Sequence, residues 1–398
     1  MQEKMRASPK QELDESFAPL RVPRMELGGK QGILPSQTIE LLIKRKIIQG
    51  SSDGEIEPNQ VQPASIDLRL GGRGYRVRTS FLPGKEHKVE QRLKEFALNE
   101  ILLETGAVLE RGCFYVFELQ EILALPEVIA AVANPKSSTG RLDVFTRLIS
   151  DNAEVFDWVE GAYRGKLFVE ICPMTFSIKV KKGSRLNQLR FLRRTSNQGR
   201  YDRSALDDKQ LLKLHKTESL VAEGVPTIRN GLNVRVDLRG SRTGAVIGYK
   251  ARRHTGIVDI ERVGGHAQNE YWEPIHSNKK GRLILDPQEF YILASKERMH
   301  VPPAYAAEMA PIDPMMGEFR AHYAGFFDPG FGNMPDGEHG SRAVLEVRSH
   351  DVPFALEDGQ IIARLVYENL TATPSVLYGQ GLKSNYQGQG LKLSKHFK

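Results

Sequence analysis

The stretch NPKSSTGRLDVFTRLISDN (134–152) gathers Lys136, Ser137, Ser138, Thr139 and Arg141 around Gly140. A cation, three hydroxyls and a guanidinium in one short turn suit an anion. Arg141 offers a planar fork, Lys136 a point charge, and the backbone around Gly140 further N–H donors. Each residue also has an ordinary explanation: serines are common in turns, and Arg141 could be a surface ion-pair partner. A second candidate is Glu346, set in the apolar strand-like run AVLEV (343–347), with Glu170 in LFVEI (167–171) as second choice. A buried carboxylate is costly unless paired. Burial also raises its pKa, which favours proton shuttling near neutrality. Either glutamate could instead bridge structurally to a neighbouring arginine. Asp328 stands in a rigid Asp-Pro-Gly turn, GFFDPGFG (325–332). The end of the chain, YGQGLKSNYQGQGLKLSKHFK (378–398), combines glycines with Tyr, Gln, Asn and Lys. That composition suits a mobile segment closing over a ligand.

The elements that must position these residues are duplicated. PSQTIELLIKRKIIQG (35–50) has helical spacing of apolar residues, with Ser36 as candidate N-cap, and ALDDKQLLKLHKTESL (205–220) has the same character. Short alternating strands follow at ASIDLRL (64–70) and VRVDLRG (234–240). At an offset of 176, GCFYVFEL answers QEFYILAS, LPEVIAAVANP answers VPPAYAAEMAP, LFVEI answers AVLEV, and GSRLNQLRF answers GQIIARLVY. A near-constant offset through several elements predicts a tandem duplication. Short strands between Gly, Pro, Asn and Asp turns predict a mainly β fold: two β-barrel or jelly-roll-like domains, each with a short N-terminal helix. The expected division is a disordered tail over 1–30, one domain over 31–200, a second over 201–377, and the closing tail over 378–398.

The places where the repeats disagree point to function. Packing constrains both copies, whereas a binding residue can survive in one alone. Lys136, Ser137 and Ser138 face Ile312, Asp313 and Pro314, and Arg141 faces Gly317. Conversely, the Asp-Pro-Gly turn and the tail occur only in the second half. Asp67 and Asp237 occur in both, which favours a structural role. Trp158 and Trp272 are expected in the core, and His322 in a pocket wall.

Composition narrows the field. The chain has 398 residues, 40% hydrophobic and 26% charged, with a net charge of +7, ample for a packed core. Two cysteines, Cys113 and Cys172, suit a reducing cytoplasmic setting better than a disulfide scaffold. No run approaches the roughly 18 apolar residues of a membrane span. No long basic helix or aromatic-plus-basic repeat marks a nucleic-acid binder.

PASIDLRLG (63–71), KSSTGR (136–141), DPGFG (328–332), VLE (344–346) and NYQGQGLKLSK (385–395), in this order, resemble the dCTP deaminase branch of the dUTPase superfamily, once per half. Two positions depart from the family pattern: Lys136 stands where the family usually has Arg, and Asn385 where it usually has Lys, with Lys383 two residues earlier. The resemblance implies a dUTPase-like fold in each half and a phosphate-binding role for Lys136, Ser137, Ser138 and Arg141. It implies pyrimidine and sugar contacts from Asp328 and Val344, and acid/base catalysis by Glu346. Tyr378, Lys383, Asn385 and Gln389 would lie on the closing tail. It further implies Mg²⁺ carried by the nucleotide triphosphate, a homo-oligomer, and one composite site per chain built from an N-terminal and a C-terminal half. The expected reaction is hydrolysis of dCTP to dUTP and ammonia. Zinc deaminases pair an H-x-E with C-x-x-C; this sequence has neither arrangement, so a lone carboxylate is the expected acid/base. A dUTP diphosphatase, a bifunctional enzyme making dUMP, and a non-catalytic nucleotide binder are the competing readings.

Overall fold

The computed structural model describes residues 30–398 apart from 52–53, 195–203, 313–318, 323–324, 334–339, 350, 381–387 and 389; for residues 319–322 it describes the backbone alone. The expected tail over 1–30, apart from Lys30, and the expected division between residues 200 and 201 therefore lie outside the described residues.

The chain is mainly β, and its described residues form six sheets. In the first half, one sheet runs Trp158–Val159, Ile129–Pro135, Asn187–Arg193, Ser65–Leu68, Val61–Gln62, with Gly32–Ile33 also paired to Asn187–Arg193. A second runs Val144–Ser150, Arg164–Pro173, Phe114–Ala124, Leu70–Val77, Ala97–Leu102. In the second half, Phe326–Phe327, Tyr305–Pro311, Ile361–Asn369 and Leu232–Arg235 repeat the first order. Phe319–His322, Ser341–Ser349, Phe290–Met299, Val246–Ala251 and Trp272–His276 repeat the second. Register is repeated as well: Glu170 pairs with Val116 and Glu346 with Ile292, both shifted by the offset of 176. Cross-strand side-chain packing fixes register where a face is buried, so both copies retain it.

The helix expectations need two corrections. The first helix is Ser36–Lys44, preceded by Pro35; Ser36 is its first residue rather than its cap. It ends early because Lys46 adopts a left-handed backbone (φ 57°), and Ile48–Gly50 continues as strand. The second is Asp208–Thr217, with Asp207 accepting from the Gln210 backbone N–H at 2.8 Å in a capping box. An amphipathic helix over Val89–Phe96, burying Val89 and Leu93, has no counterpart in the sequence reading.

The halves pack along a seam. The largest apolar cluster joins first-half residues such as Phe117 and Phe176 to Trp272, Phe290, Ile292, Val344 and Phe397. A smaller one joins Trp158 and Val132 to Ala306, Phe326 and Leu370. Val258–Asp259 of the second half adds a parallel strand to Ile178–Val180 of the first. Trp272 is wholly buried here; truncating such a side chain costs about 3–5 kcal/mol. Among the described residues, no helix is long and apolar enough to cross a membrane.

Candidate active site

The polar stretch at 136–141 is a single helical turn, Ser137–Gly140, at the end of the strand Ile129–Pro135. Two bonds tie it to the turn preceding Asn187–Arg193: the Lys136 N–H donates to the Leu186 carbonyl at 2.8 Å, and Thr139 Oγ1 to the same oxygen at 2.9 Å. Ser138 and Arg141 are buried, which is not what ordinary surface-turn chemistry predicts. Lys136 is partly exposed and its Nζ pairs with Asp67, a residue whose sequence pointed only to strand-end structure.

Glu346 sits in the middle of its sheet, on Ser341–Ser349, with Ile292 and His322 as ladder neighbours. It is 6% exposed. Across the seam, Arg141 Nε of the first half lies 4.0 Å from Glu346 Oε1. Burial pushes the Glu346 carboxyl up to about 8; the Arg141 charge opposes that rise and Asp143 adds to it. Two residues along the strand, Arg348 pairs with Asp143 and donates to Thr175 Oγ1 at 3.0 Å. The second-half strand is thus clamped onto first-half residues 141–143. Val344 is buried in the shared core.

Asp328 opens its turn as expected: the Phe331 N–H donates back to the Asp328 carbonyl at 3.0 Å. Gly330 there has φ 89°, and a Cβ on it would meet Leu377 at 3.0 Å, so the close approach of 377–378 requires glycine. The Tyr378 N–H donates to the Pro329 carbonyl at 2.9 Å, and its ring lies 5.8 Å from Phe331. Burial raises the Asp328 carboxyl and Arg190 opposes that rise; the charges of Asp67 and Lys136 also act on it. The loop at 136–141 of one half and the Asp-Pro-Gly turn of the other are therefore electrostatic neighbours.

Beside the loop is a cavity of about 530 Å³ whose lining includes Lys136, Ser138, Lys182, Arg185, Lys395 and His396. The ammonium of Lys395 is pushed down from its ordinary value, first by burial and then by Lys136. The lining is mixed: Glu57, Asp67 and Glu261 also face the cavity and pair with Arg185, Lys136 and Lys181.

Two family descriptions match in tandem: the N-terminal domain of 2'-deoxycytidine 5'-triphosphate deaminase over residues 30–196 and its C-terminal domain over 207–397. The chain belongs to the dCTP deaminase family. It is similar to the crystal structure of 2'-deoxycytidine 5'-triphosphate deaminase from Agrobacterium tumefaciens, with 50% identity and a TM-score of 0.80, over 85% of this chain and 99% of that one. It is 28% identical over 163 residues to the "dCTP deaminase, dUMP-forming" of Methanosphaerula palustris, covering 38% of this chain and 80% of that protein. It is 28% identical over 156 residues to the dCTP deaminase of Haloarcula marismortui, covering 37% and 76%.

Within this dCTP deaminase chain, the two glutamates have different surroundings. Glu170 is fully buried and held by its own half: Arg147 Nη2 donates to it at 2.7 Å and Nε at 3.2 Å. The Arg147 guanidinium also donates to Ser80 Oγ at 2.7 Å and lies over the rings of Phe156 (3.6 Å) and Phe145 (4.5 Å). Glu170 is thus ion-paired to an arginine of its own half, as its sequence left open. Asp237 likewise pairs with Arg342 within the second half.

Of the tail residues, Lys383, Asn385 and Gln389 lie outside the described residues, as does the His322 side chain. The end of the tail is described and touches the loop directly. Arg141 Nη1 donates to the Lys392 carbonyl at 3.0 Å, and Ser394 Oγ to the Ser138 carbonyl at 2.8 Å. Phe397 anchors this end among Tyr271 (5.3 Å), Trp272 (5.8 Å) and Phe176 (6.2 Å). His396 Nδ1 lies 2.9 Å from Ser394 Oγ, and burial, then Lys395, pushes its pKa down to about 4. Lys182, Arg185, Lys395 and Arg190 were not singled out from the sequence. The run VKKGSR (180–185) carried a basic signal, but one that an exposed turn shares.

Proposed function

We propose that this chain is a dCTP deaminase that converts dCTP and water to dUTP and ammonia, with Glu346 as the acid/base. The observation that carries this reading is Arg141 at 4.0 Å from a buried Glu346, whose carboxyl burial pushes up to about 8. In this reaction Glu346 takes one proton from water as the oxygen bonds to C4 of cytosine. It then delivers that proton to the 4-amino group. The C4–N bond breaks, its electron pair leaves with ammonia, and the remaining hydroxyl proton moves to N3 to give uracil. Acid/base help of this kind is worth about 10²–10⁴-fold. No step uses zinc. Lys136, Ser137, Ser138 and Arg141 hold the triphosphate, which brings Mg²⁺ with it, and Lys182, Arg185 and Lys395 enlarge its cationic receptacle. To reach a phosphate, Lys136 gives up part of its pairing with Asp67. Asp328 and Val344 hold the sugar and base, and Tyr378, Lys383, Asn385 and Gln389 belong to the segment that closes the site.

The same reading takes the chain as two tandem dUTPase-like units over 31–200 and 201–377 with a closing tail over 378–398. The repeated strand orders and registers support it. The site forms between the N-terminal and C-terminal halves, and the Arg141–Glu346 and Arg348–Asp143 contacts support their meeting within one chain. A cytoplasmic homo-oligomer completes the proposal. The test is ammonia release from dCTP by the purified chain; no release, or full activity in Glu346→Gln, refutes it. The name of the Methanosphaerula palustris relative favours a second reading, continuation to dUMP. Chromatography of the products separates dUTP from dUMP plus pyrophosphate.

A further inference from the structure

Arg190 is a fully buried charge in an unusual place. It lies on the first-half strand Asn187–Arg193, yet its guanidinium bonds only to the second half in the contacts described. Nη1 donates to the Ala307 carbonyl at 3.0 Å, and Nη2 to the Phe327 carbonyl at 3.0 Å and to Asp328 Oδ1 at 3.2 Å. The guanidinium also lies 4.0 Å over the Phe326 ring. Burying a guanidinium costs several kcal/mol unless its partners are well placed, so the fold does not acquire one without return. Nor does the fold require it here: at the offset of 176, the position in the second half is Val366, on a strand with the same neighbours. The acceptors have one thing in common. Ala307 belongs to the strand paired with Phe326–Phe327, and Phe327 and Asp328 lead into the Asp-Pro-Gly turn. A forked donor with three fixed acceptors defines orientation as well as distance. Stacking on Phe326 removes its remaining freedom.

We propose that Arg190 is a positioning residue for the reaction: the first half uses it to set the Asp328 turn of the second half, and so governs the fit of the sugar and base independently of the phosphates. This rests on the deaminase reading above. It divides substrate recognition into two parts, both dependent on the first half. The helical turn Ser137–Gly140 and Arg141 meet the triphosphate directly, whereas Arg190 acts at a distance through Asp328.

The experiment uses the full chain with Arg190→Met and Arg190→Lys. Displacing a substrate-holding group by an ångström costs up to about 100-fold, so kcat/KM for dCTP is expected to fall by about 10- to 100-fold, chiefly through KM. Inhibition by inorganic tripolyphosphate, which probes the phosphate end alone, is expected to stay at its wild-type level. Adding Arg190→Met to Asp328→Asn should then cost little more than Asp328→Asn alone. Tripolyphosphate inhibition that weakens in step with dCTP turnover would overturn the proposal, because Arg190 would then be a general seam residue. So would losses from Arg190→Met and Asp328→Asn that multiply independently. If Arg190→Met fails to melt cooperatively, Arg190→Lys, which keeps the charge but not the fork, carries the same comparison. A wild type that binds dCTP without deaminating it would refute the proposed function alone, and calorimetric dCTP binding by the same variants would still decide the role of Arg190.

Discussion

Replacing Arg141 by Met removes the positive charge nearest the Glu346 carboxyl. At 4.0 Å and an effective dielectric constant of about 20, the lost attraction is about 4 kcal/mol. That corresponds to about 3 pH units at the conversion of about 1.4 kcal/mol per unit. Spread of charge over the guanidinium reduces it, and arginine–carboxylate pairs typically shift by about 1–3 units. The sign follows from the causes: burial raises the Glu346 pKa and Arg141 opposes it, so removing Arg141 raises it further. The other charged group acting on Glu346 is Asp143, itself paired with Arg348; His322 is the titratable neighbour in the ladder. Attack by water needs the ionised carboxylate, so wild-type kcat/KM should rise with pH through a midpoint near 8, the value for the free enzyme. In Arg141→Met the midpoint should move upward by at least about one unit; in Arg141→Lys, which keeps the charge, it should move far less. The assay is initial-rate ammonia release across the pH range. Whatever happens to the absolute rate, a midpoint that stays put or falls in Arg141→Met would refute the coupling of these two groups.

Five further outcomes are expected. Glu346→Gln should lower kcat by about 10²–10⁴-fold, measured at saturating dCTP. Because the folded pKa of Glu346 is raised from 4.5 to about 8, its contribution to stability is fully present below pH 4.5 and lost as pH rises to 8. That is a decline of a few kcal/mol, about 1.4 per unit, and urea unfolding at several pH values should show it weakened in Glu346→Gln. Arg147→Met should leave Glu170 buried and uncompensated, lowering stability by about 3–5 kcal/mol; Glu170→Gln should retain deaminase activity, since Glu170 is committed to Arg147. Phe397→Ala should release the tail from Ser138 and Arg141 and lower kcat/KM by about 10-fold, whereas Phe397→Tyr should largely preserve it. If the metal travels with the substrate as proposed, chelation of Mg²⁺ should raise KM for dCTP without moving the thermal midpoint of the protein.

The repeat was legible because each strand of one half packs as its twin does. Alternating apolar runs at a fixed offset preserve that constraint, as the matched pairs Glu170–Val116 and Glu346–Ile292 show. The loop at 136–141 was legible for the opposite reason, since its polar residues are absent from its twin. The partners were harder to read. Arg147 gives Glu170 a structural role, but at 23 positions' separation nothing in the sequence marks the pair. Arg190 looks like an ordinary alternating strand residue, and only the approach of the second half turns it into a buried donor. Lys395 and Arg185 become neighbours through tertiary packing alone. The early end of the first helix was also hidden: the apolar residues at Ile47 and Ile48 continue the periodicity that the left-handed Lys46 interrupts.

The seam has a consequence for how the protein behaves on dilution. Arg141 and Glu346 belong to one polypeptide, so their encounter is an intramolecular event. Tethering of this kind supplies an effective concentration in about the millimolar range, far above that of any enzyme in an assay. A pocket shared between separate subunits comes apart as the protein is diluted below its dissociation constant; one joined by a covalent tether does not. Duplication and fusion therefore do more than lengthen the chain. They make the meeting of the loop at 136–141 and Glu346 independent of how many copies of the protein are present.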